Sequence, residues 1–248
     1  MAQTQFKFSP SVIVYPLLLV FLIWLAFWYQ VRIDYGITSF GIRPQKLEGL
    51  FGVVFSPFLH GDIEHLYNNS IPLLVLSLAL FYFYHKIAWK VILYGVLFSG
   101  LLTWLIADRG NHIGASGLIY VLVSFIFFKG IFAKHYRLIA LSLIVIFLYG
   151  SMIWYVFPIR DGMSWEGHLS GLITGFIFAL IFRRQVAKPE RYRWETPDYN
   201  EEDDPFMRHF DENGNFIEHI PEIDNDSNEE SGGPEKTNVN YIFKENKD

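Results

Sequence analysis

The chain has 248 residues, of which 52% are hydrophobic, 18% aromatic and only 18% charged. Soluble domains carry about 25% charge. This balance, with no Cys at all, excludes a wholly disordered chain, a collagen, a disulfide-rich secreted scaffold and any thiolate nucleophile or Cys-held metal. The net charge of −5 is a sum of opposites: residues 1–184 carry 13 Lys+Arg against 7 Asp+Glu, a net +6, and residues 185–248 carry 7 against 18, a net −11.

Six apolar segments follow one another in the basic part: Val12–Tyr29, Ile63–Tyr84, Val91–Ala107, Ser116–Phe128, Leu138–Phe157 and His168–Phe182. A bilayer core of about 30 Å needs roughly 20 helical residues. The first, third and fifth segments meet that length. The second does so if His65, Asn68 and Asn69 are tolerated inside it, and the fourth and sixth are short. The first is too long for a signal peptide, lacks a small-residue cleavage site, and is followed by five more segments. Residues 31–62 form an outer connection too long for an idle loop, and its Tyr35, Phe40, Leu47, Phe51 and Phe55 predict a folded excursion against the membrane.

Cation placement predicts orientation. With a cytoplasmic N-terminus, eleven Lys and Arg fall in inner flanks, at Lys7, Lys86, Lys90, Lys129, Lys134, Arg137, Arg183, Arg184, Lys188, Arg191 and Arg193. Five fall outside, at Arg32, Arg43, Lys46, Arg109 and Arg160. Both termini are therefore expected in the cytoplasm.

Three polar clusters stand at the outer ends of segments two, four and six: His60-Gly-Asp-Ile-Glu-His65-Leu-Tyr-Asn-Asn69, Gly114-Ala-Ser116-Gly117-Leu-Ile-Tyr120 and Glu166-Gly-His168-Leu-Ser-Gly171-Leu-Ile-Thr-Gly175. Counting from the inner flanks at about 1.5 Å per residue puts Ser116, His168 and Asn69 at roughly 20, 22 and 26 Å, below the outer surface of a ~30 Å core. Polar groups at such depth face a protein interior or a water-filled cavity. Non-helical backbone before Ser116 and His168 must do the same.

Ser116 is a candidate nucleophile, since a Ser needs only a base to take its proton and a neutral imidazole suits that task. A Ser at a helix start is otherwise an N-cap. Gly114 and Gly117 would let the backbone turn and bring a carbonyl close to main-chain N–H groups. His60, His65, His112 and His168 compete as base, and Glu166 is a candidate third group. Gly171 and Gly175 permit close approach of a partner helix. If that helix carries Ser116, His168 comes within reach of it. Asn69 and His65, four apart, share a helix face and are candidate oxyanion donors. Pro72 frees the Asn68 carbonyl, and Tyr120, four after Ser116, could pack on the His168 ring.

With these residues in order on these segments, the sequence resembles the rhomboid family of intramembrane serine proteases. The motifs are His65-Leu-Tyr-Asn-Asn69, Gly114-Ala115-Ser116-Gly117 and His168-xx-Gly171-xxx-Gly175, spread over roughly residues 5–184. The resemblance implies an all-α, six-helix membrane bundle at 1–184. The acidic tail at 185–248 lies outside the resemblance, and its composition predicts a disordered cytoplasmic segment. The resemblance also implies a serine endopeptidase with Ser116 as nucleophile and His168 as general base, without an acid. Asn69, His65 and the Ser116 N–H would be the oxyanion donors, and Tyr120 would stack on His168. The expected partners are single-span transmembrane substrates and membrane lipids, with no cofactor, metal or nucleic acid. The expected location is a bacterial inner membrane with the site opening outward. Two departures stand out: Phe51-Gly52 replaces the family's usual Trp-Arg, and Ser56 stands where an additional His is often found. The alternative is a catalytically inactive rhomboid-like protein that binds transmembrane clients. A transporter is disfavoured because no matching half-repeats are evident.

The tail is rich in Glu, Asp and Asn, a composition that cannot bury a core. Asp211-Glu-Asn-Gly-Asn215 resembles a calcium loop only faintly, because Gly214 falls fourth where the EF-hand turn needs Gly sixth. Phe216-Ile-Glu-His-Ile-Pro and Tyr241-Ile-Phe read as solvated tail rather than docking segments.

Overall fold

The computed structural model describes residues 8–33, 37–159, 162–183, 192–211 and 213–217. Two compact units divide the chain, Met1–Glu190 and Arg191–Asp248. The boundary expected after residue 184 lies outside the described residues. Among the described residues there are no strands, only the isolated bridges Ile42–His112 and Phe210–Phe216.

The first unit opens with helix α1 (Ser11–Ile33). The outer connection is folded: two 3-10 turns (Ile37–Phe40 and Leu47–Leu50) lead into the short α2 (Gly52–Phe55) and a further turn, Ser56–Phe58. Then come α3 (Ile63–Phe83), α4 (Ala88–Ile106), α5 (Ser116–Phe132), α6 (Tyr136–Tyr149) with a 3-10 extension Gly150–Val156, and α7 (Trp165–Ile181). The fifth apolar segment is thus not one continuous α-helix. It tightens at Gly150, a residue with poor helix propensity. Helix α7 starts three residues before His168, because Ser164 accepts the Gly167 N–H as its N-cap.

Among the described residues, four helical stretches are long and apolar enough to cross a membrane: Ser11–Ile33, Ile63–Phe83, Ala88–Ile106 and Tyr136–Val156. Helices α5 and α7 have 17 residues each, or about 25 Å. Helix α5 does not depend on lipid for burial. It packs against α3, α4, α6 and α7, and every residue from Leu118 to Ile126 is buried, the pattern of a helix apolar on all sides. Polar bonds tie the helices where water is scarce. Trp24 donates to Ser70 (2.9 Å), Ser124 to the Leu172 carbonyl (2.7 Å) and Ser142 to the Phe127 carbonyl (2.8 Å). Lys129, counted above among the inner flanks, is instead fully buried in α5, and its ammonium donates to the Phe182 carbonyl at the C-terminus of α7, where a cation complements the helix dipole.

In the second unit the described residues form three 3-10 turns, Arg193–Glu195, Glu201–Asp203 and Met207–His209. Asp211 Oδ1 accepts from the N–H groups of Asn213 (2.9 Å) and Asn215 (2.8 Å), and Asn215 Nδ2 donates to its other oxygen (3.0 Å). The carboxylate therefore closes a polar turn beneath the Phe210–Phe216 bridge. Residues 218–248, which hold about half of the expected disordered tail and the Tyr241 segment, lie outside the described residues.

Candidate active site

Helices α5 and α7 meet backbone to backbone. A Cβ on Gly171 would collide with the Gly117 carbonyl and stand 2.7 Å from Tyr120 Cβ. One on Gly175 would collide with the Val121 carbonyl and stand 2.8 Å from Ser124 Cβ. Bare glycines on this face therefore set the separation of the two helix starts. Ser116, half-buried, sits at the first position of α5, and His168 is buried in the first turn of α7. Ser116 Oγ lies 3.1 Å from His168 Nε2. The other ring nitrogen, Nδ1, lies 2.9 Å from the Tyr155 carbonyl. A carbonyl only accepts, so Nδ1 carries the proton and Nε2 presents its lone pair to the serine hydroxyl. Tyr120 stacks on the imidazole (centroids 4.4 Å apart, planes 15° apart) and donates its hydroxyl to the Met152 carbonyl at 2.7 Å. Both carbonyls belong to the 3-10 extension of α6. Backbone acceptors carry no residue signature, which is why sequence did not reveal this part of the site. The position a third carboxylate would take is filled by Tyr155, and Glu166 makes no contact with His168 among the hydrogen bonds and ion pairs described.

Helix α3 approaches from the opposite side. Its N-cap Asp62 accepts the His65 N–H at 2.7 Å, a favourable place for a carboxylate. Gly114 adopts φ +108, which L side chains rarely do. A Cβ there would also stand 2.6 Å from His65 Nε2 and 3.4 Å from Asn69 Nδ2. The bare glycine thus lets both side chains reach the turn that delivers Ser116. Asn69 is buried, and its Nδ2 has no hydrogen-bond partner.

The remaining histidine of the Ser116 loop is a strut. His112 pairs backbone to backbone with Ile42, 2.9 Å in both directions. Its Nε2 donates to the Arg109 carbonyl (3.1 Å), and its Nδ1 accepts from Ser164 (2.6 Å), the N-cap of α7. It joins the outer connection, the Ser116 loop and α7. Burial holds its pKa below the ordinary value, so the ring stays neutral. Gly114 N–H also donates to the Ser56 carbonyl at 2.8 Å, so the irregular backbone at this depth is satisfied within the protein. The two sequence departures have places in this scaffold. Ser56 serves through its main chain. Gly52 is buried against the Gly41 backbone, where any Cβ would collide, so a larger side chain does not fit there. Ser99, Thr103, His112, Ser116 and Ser164 are among the residues lining a cavity of about 30 Å³, room for a water molecule. Among the described residues, no group of three His, Asp or Glu side chains is placed to hold a metal.

The sequence profile of the Rhomboid domain matches residues 47–185, more than half of the chain. The chain belongs to the rhomboid family. It is a multi-pass integral membrane protein, an all-helical rhomboid-like bundle. Uncharacterized proteins of Mycobacterium tuberculosis and Mycobacterium bovis are each 39% identical over 161 residues, covering 61% of this chain and 65% of theirs. One of Mycobacterium leprae is 34% identical over 173 residues, covering 63% of this chain and 64% of its own. The rhomboid chain thus spans just under two thirds of the length of these relatives.

Proposed function

We propose that this rhomboid protein is a serine-type intramembrane endopeptidase that cuts membrane proteins in or near their transmembrane segments. The observation that carries the reading is the 3.1 Å approach of Ser116 Oγ to a His168 whose tautomer is set by the Tyr155 carbonyl. In the proposed reaction His168 Nε2 takes the hydroxyl proton as Ser116 Oγ attacks the scissile carbonyl carbon. Negative charge then develops on the carbonyl oxygen, and Asn69 Nδ2, His65 and the Ser116 N–H stabilise it. The imidazolium returns its proton to the leaving amine, the C–N bond breaks, and an acyl-enzyme remains. Water, deprotonated by His168, hydrolyses that ester. A helical peptide bond is sheltered by its own hydrogen bonds, so the substrate segment must unwind to reach Ser116.

The cation distribution, ten inner against five outer once the buried Lys129 is set aside, supports both termini in the cytoplasm. This suits a bacterial inner membrane with the site opening outward. The test is to reconstitute the full chain with a single-span substrate and to label it with a fluorophosphonate. Ser116→Ala and His168→Ala should each lower cleavage by at least about 10⁴-fold, and labelling should vanish in Ser116→Ala. Cleavage unchanged in both variants would overturn the mechanism. Client capture that persists without labelling would favour a binding protein instead.

A further inference from the structure

His60 is the most enclosed imidazole of the described residues, at 0% exposure, and the dyad makes no use of it. Neither ring nitrogen has a partner of hydrogen-bond geometry, although an orphaned buried polar group is costly and calls for a reason. Burial, the largest cause, and the neighbouring His65 push its pKa down to about 4, with the Phe58 carbonyl and Asp62 pulling the other way. The ring is therefore a neutral, polar wall. Its main chain is gripped at two points by one side-chain amide: Gln30 Nε2 donates to the His60 carbonyl (2.6 Å), and the His60 N–H donates to Gln30 Oε1 (3.4 Å). Gln30 belongs to the last turn of α1, which precedes the matched residues 47–185. The ring itself meets His65, with centroids 5.0 Å apart and planes at 65°. His65 in turn borders Gly114, two residues before Ser116. The Asp62 cap fixes the His65 backbone, and the ring contact restrains its side chain.

We propose that His60, clamped by Gln30, is a positioning residue that holds the His65 ring toward the developing oxyanion. The proposal rests on the protease reading and assigns α1 a part in the reaction. An edge-to-face contact fixes the partner ring's plane, and an oxyanion donor is effective only when it is already in place. Misplacing one should cost less than deleting it.

The test is a double-mutant cycle in the full-length, reconstituted protein, with thermal unfolding measured for each variant. His60→Ala should lower kcat roughly tenfold and Gln30→Leu about threefold, each with KM within about twofold of wild type. In a His65→Ala background both effects should shrink below about twofold, because the group being positioned is gone. His60→Phe keeps a ring against His65 and should retain kcat within about threefold, which covers the case in which His60→Ala fails to fold. Equal losses in the wild-type and His65→Ala backgrounds would overturn the proposal while leaving the protease reading intact. So would a His60→Phe variant as impaired as His60→Ala. A wild-type protein whose cleavage is indifferent to Ser116→Ala would overturn the protease reading and the proposal with it.

Discussion

The two sides of Ser116 differ in how completely their polar groups are engaged. On the α7 side His168 faces Ser116, gives its other nitrogen to the Tyr155 carbonyl and lies under the Tyr120 ring. On the α3 side Asn69 Nδ2 and both His60 nitrogens are buried without partners. On the proposed mechanism the base side is complete in the resting molecule, and the α3 side holds Asn69 Nδ2 in reserve as a donor. Only interactions stronger in the transition state than in the ground state accelerate a reaction. An unpaired amide facing the place where charge develops fits that requirement, whereas a satisfied one would not.

This asymmetry makes Asn69→Ala the strongest probe beyond the dyad itself. Removing an oxyanion donor should lower kcat by about 10²–10³-fold with KM little changed. Stability should hold or rise, because the variant removes a buried donor that has no partner. Cleavage assays paired with thermal unfolding would read both. A stability loss matching the activity loss would mean that Asn69 is a packing residue and that the two sides are alike.

The next probe is acid. The folded pKa of His60, about 4, lies below the ordinary 6.5. Between those values the unfolded chain binds more protons than the folded one, so stability should fall as pH drops from 6.5 toward 4. The loss should be about 3 kcal/mol at most from this group. His112, also held low by burial, should add to the same slope. Unfolding midpoints across this window should flatten in His60→Phe without becoming level. An unchanged slope would show that His60 is not kept neutral by the fold.

Much of this arrangement was legible in the sequence because membranes make polar residues conspicuous. Ser116, Asn69 and His168 stand out against apolar neighbours, and helical rise alone puts them at similar depths. Gly171 and Gly175 advertised a close helix contact but could not name the partner. What stayed hidden was carried by backbone or by distant pairing. The Tyr155 and Met152 carbonyls have no residue identity. The role of His112 depends on Ile42 and Ser164, neither of which is near it in sequence. Gln30 falls one residue past the first apolar segment and reads as an ordinary polar helix end. The shift from α to 3-10 at Gly150 was masked because the apolar run resumes directly after Gly150-Ser151.

Gly171→Ala tests the frame on which the base side is built. Its methyl would press on the Gly117 carbonyl and Tyr120 Cβ, neither the tip of a flexible side chain. Overpacking of this kind costs about 1–3 kcal/mol. Relief by widening the α5–α7 gap would lengthen the 3.1 Å Ser116–His168 approach. Fluorophosphonate labelling should slow by roughly 10²-fold. Labelling at the wild-type rate with reduced stability would show that the helix starts are held apart from the glycine contact.

Tyr120→Phe should have the smallest effect, and it separates two ways of holding His168. The phenyl ring can keep the stack on the imidazole but loses the hydroxyl that bonds the Met152 carbonyl. A single neutral hydrogen bond is worth about 1 kcal/mol net, so labelling should slow by less than about tenfold. Tyr120→Ala, which removes stack and bond together, should slow it more. If Phe proves as damaging as Ala, the imidazole depends on the tether between Tyr120 and the 3-10 extension rather than on the ring face. The Tyr155 carbonyl sits on that same extension, three residues beyond Met152. Loosening one anchor would then loosen the acceptor that fixes the His168 tautomer, and the base side would be only as rigid as the end of α6.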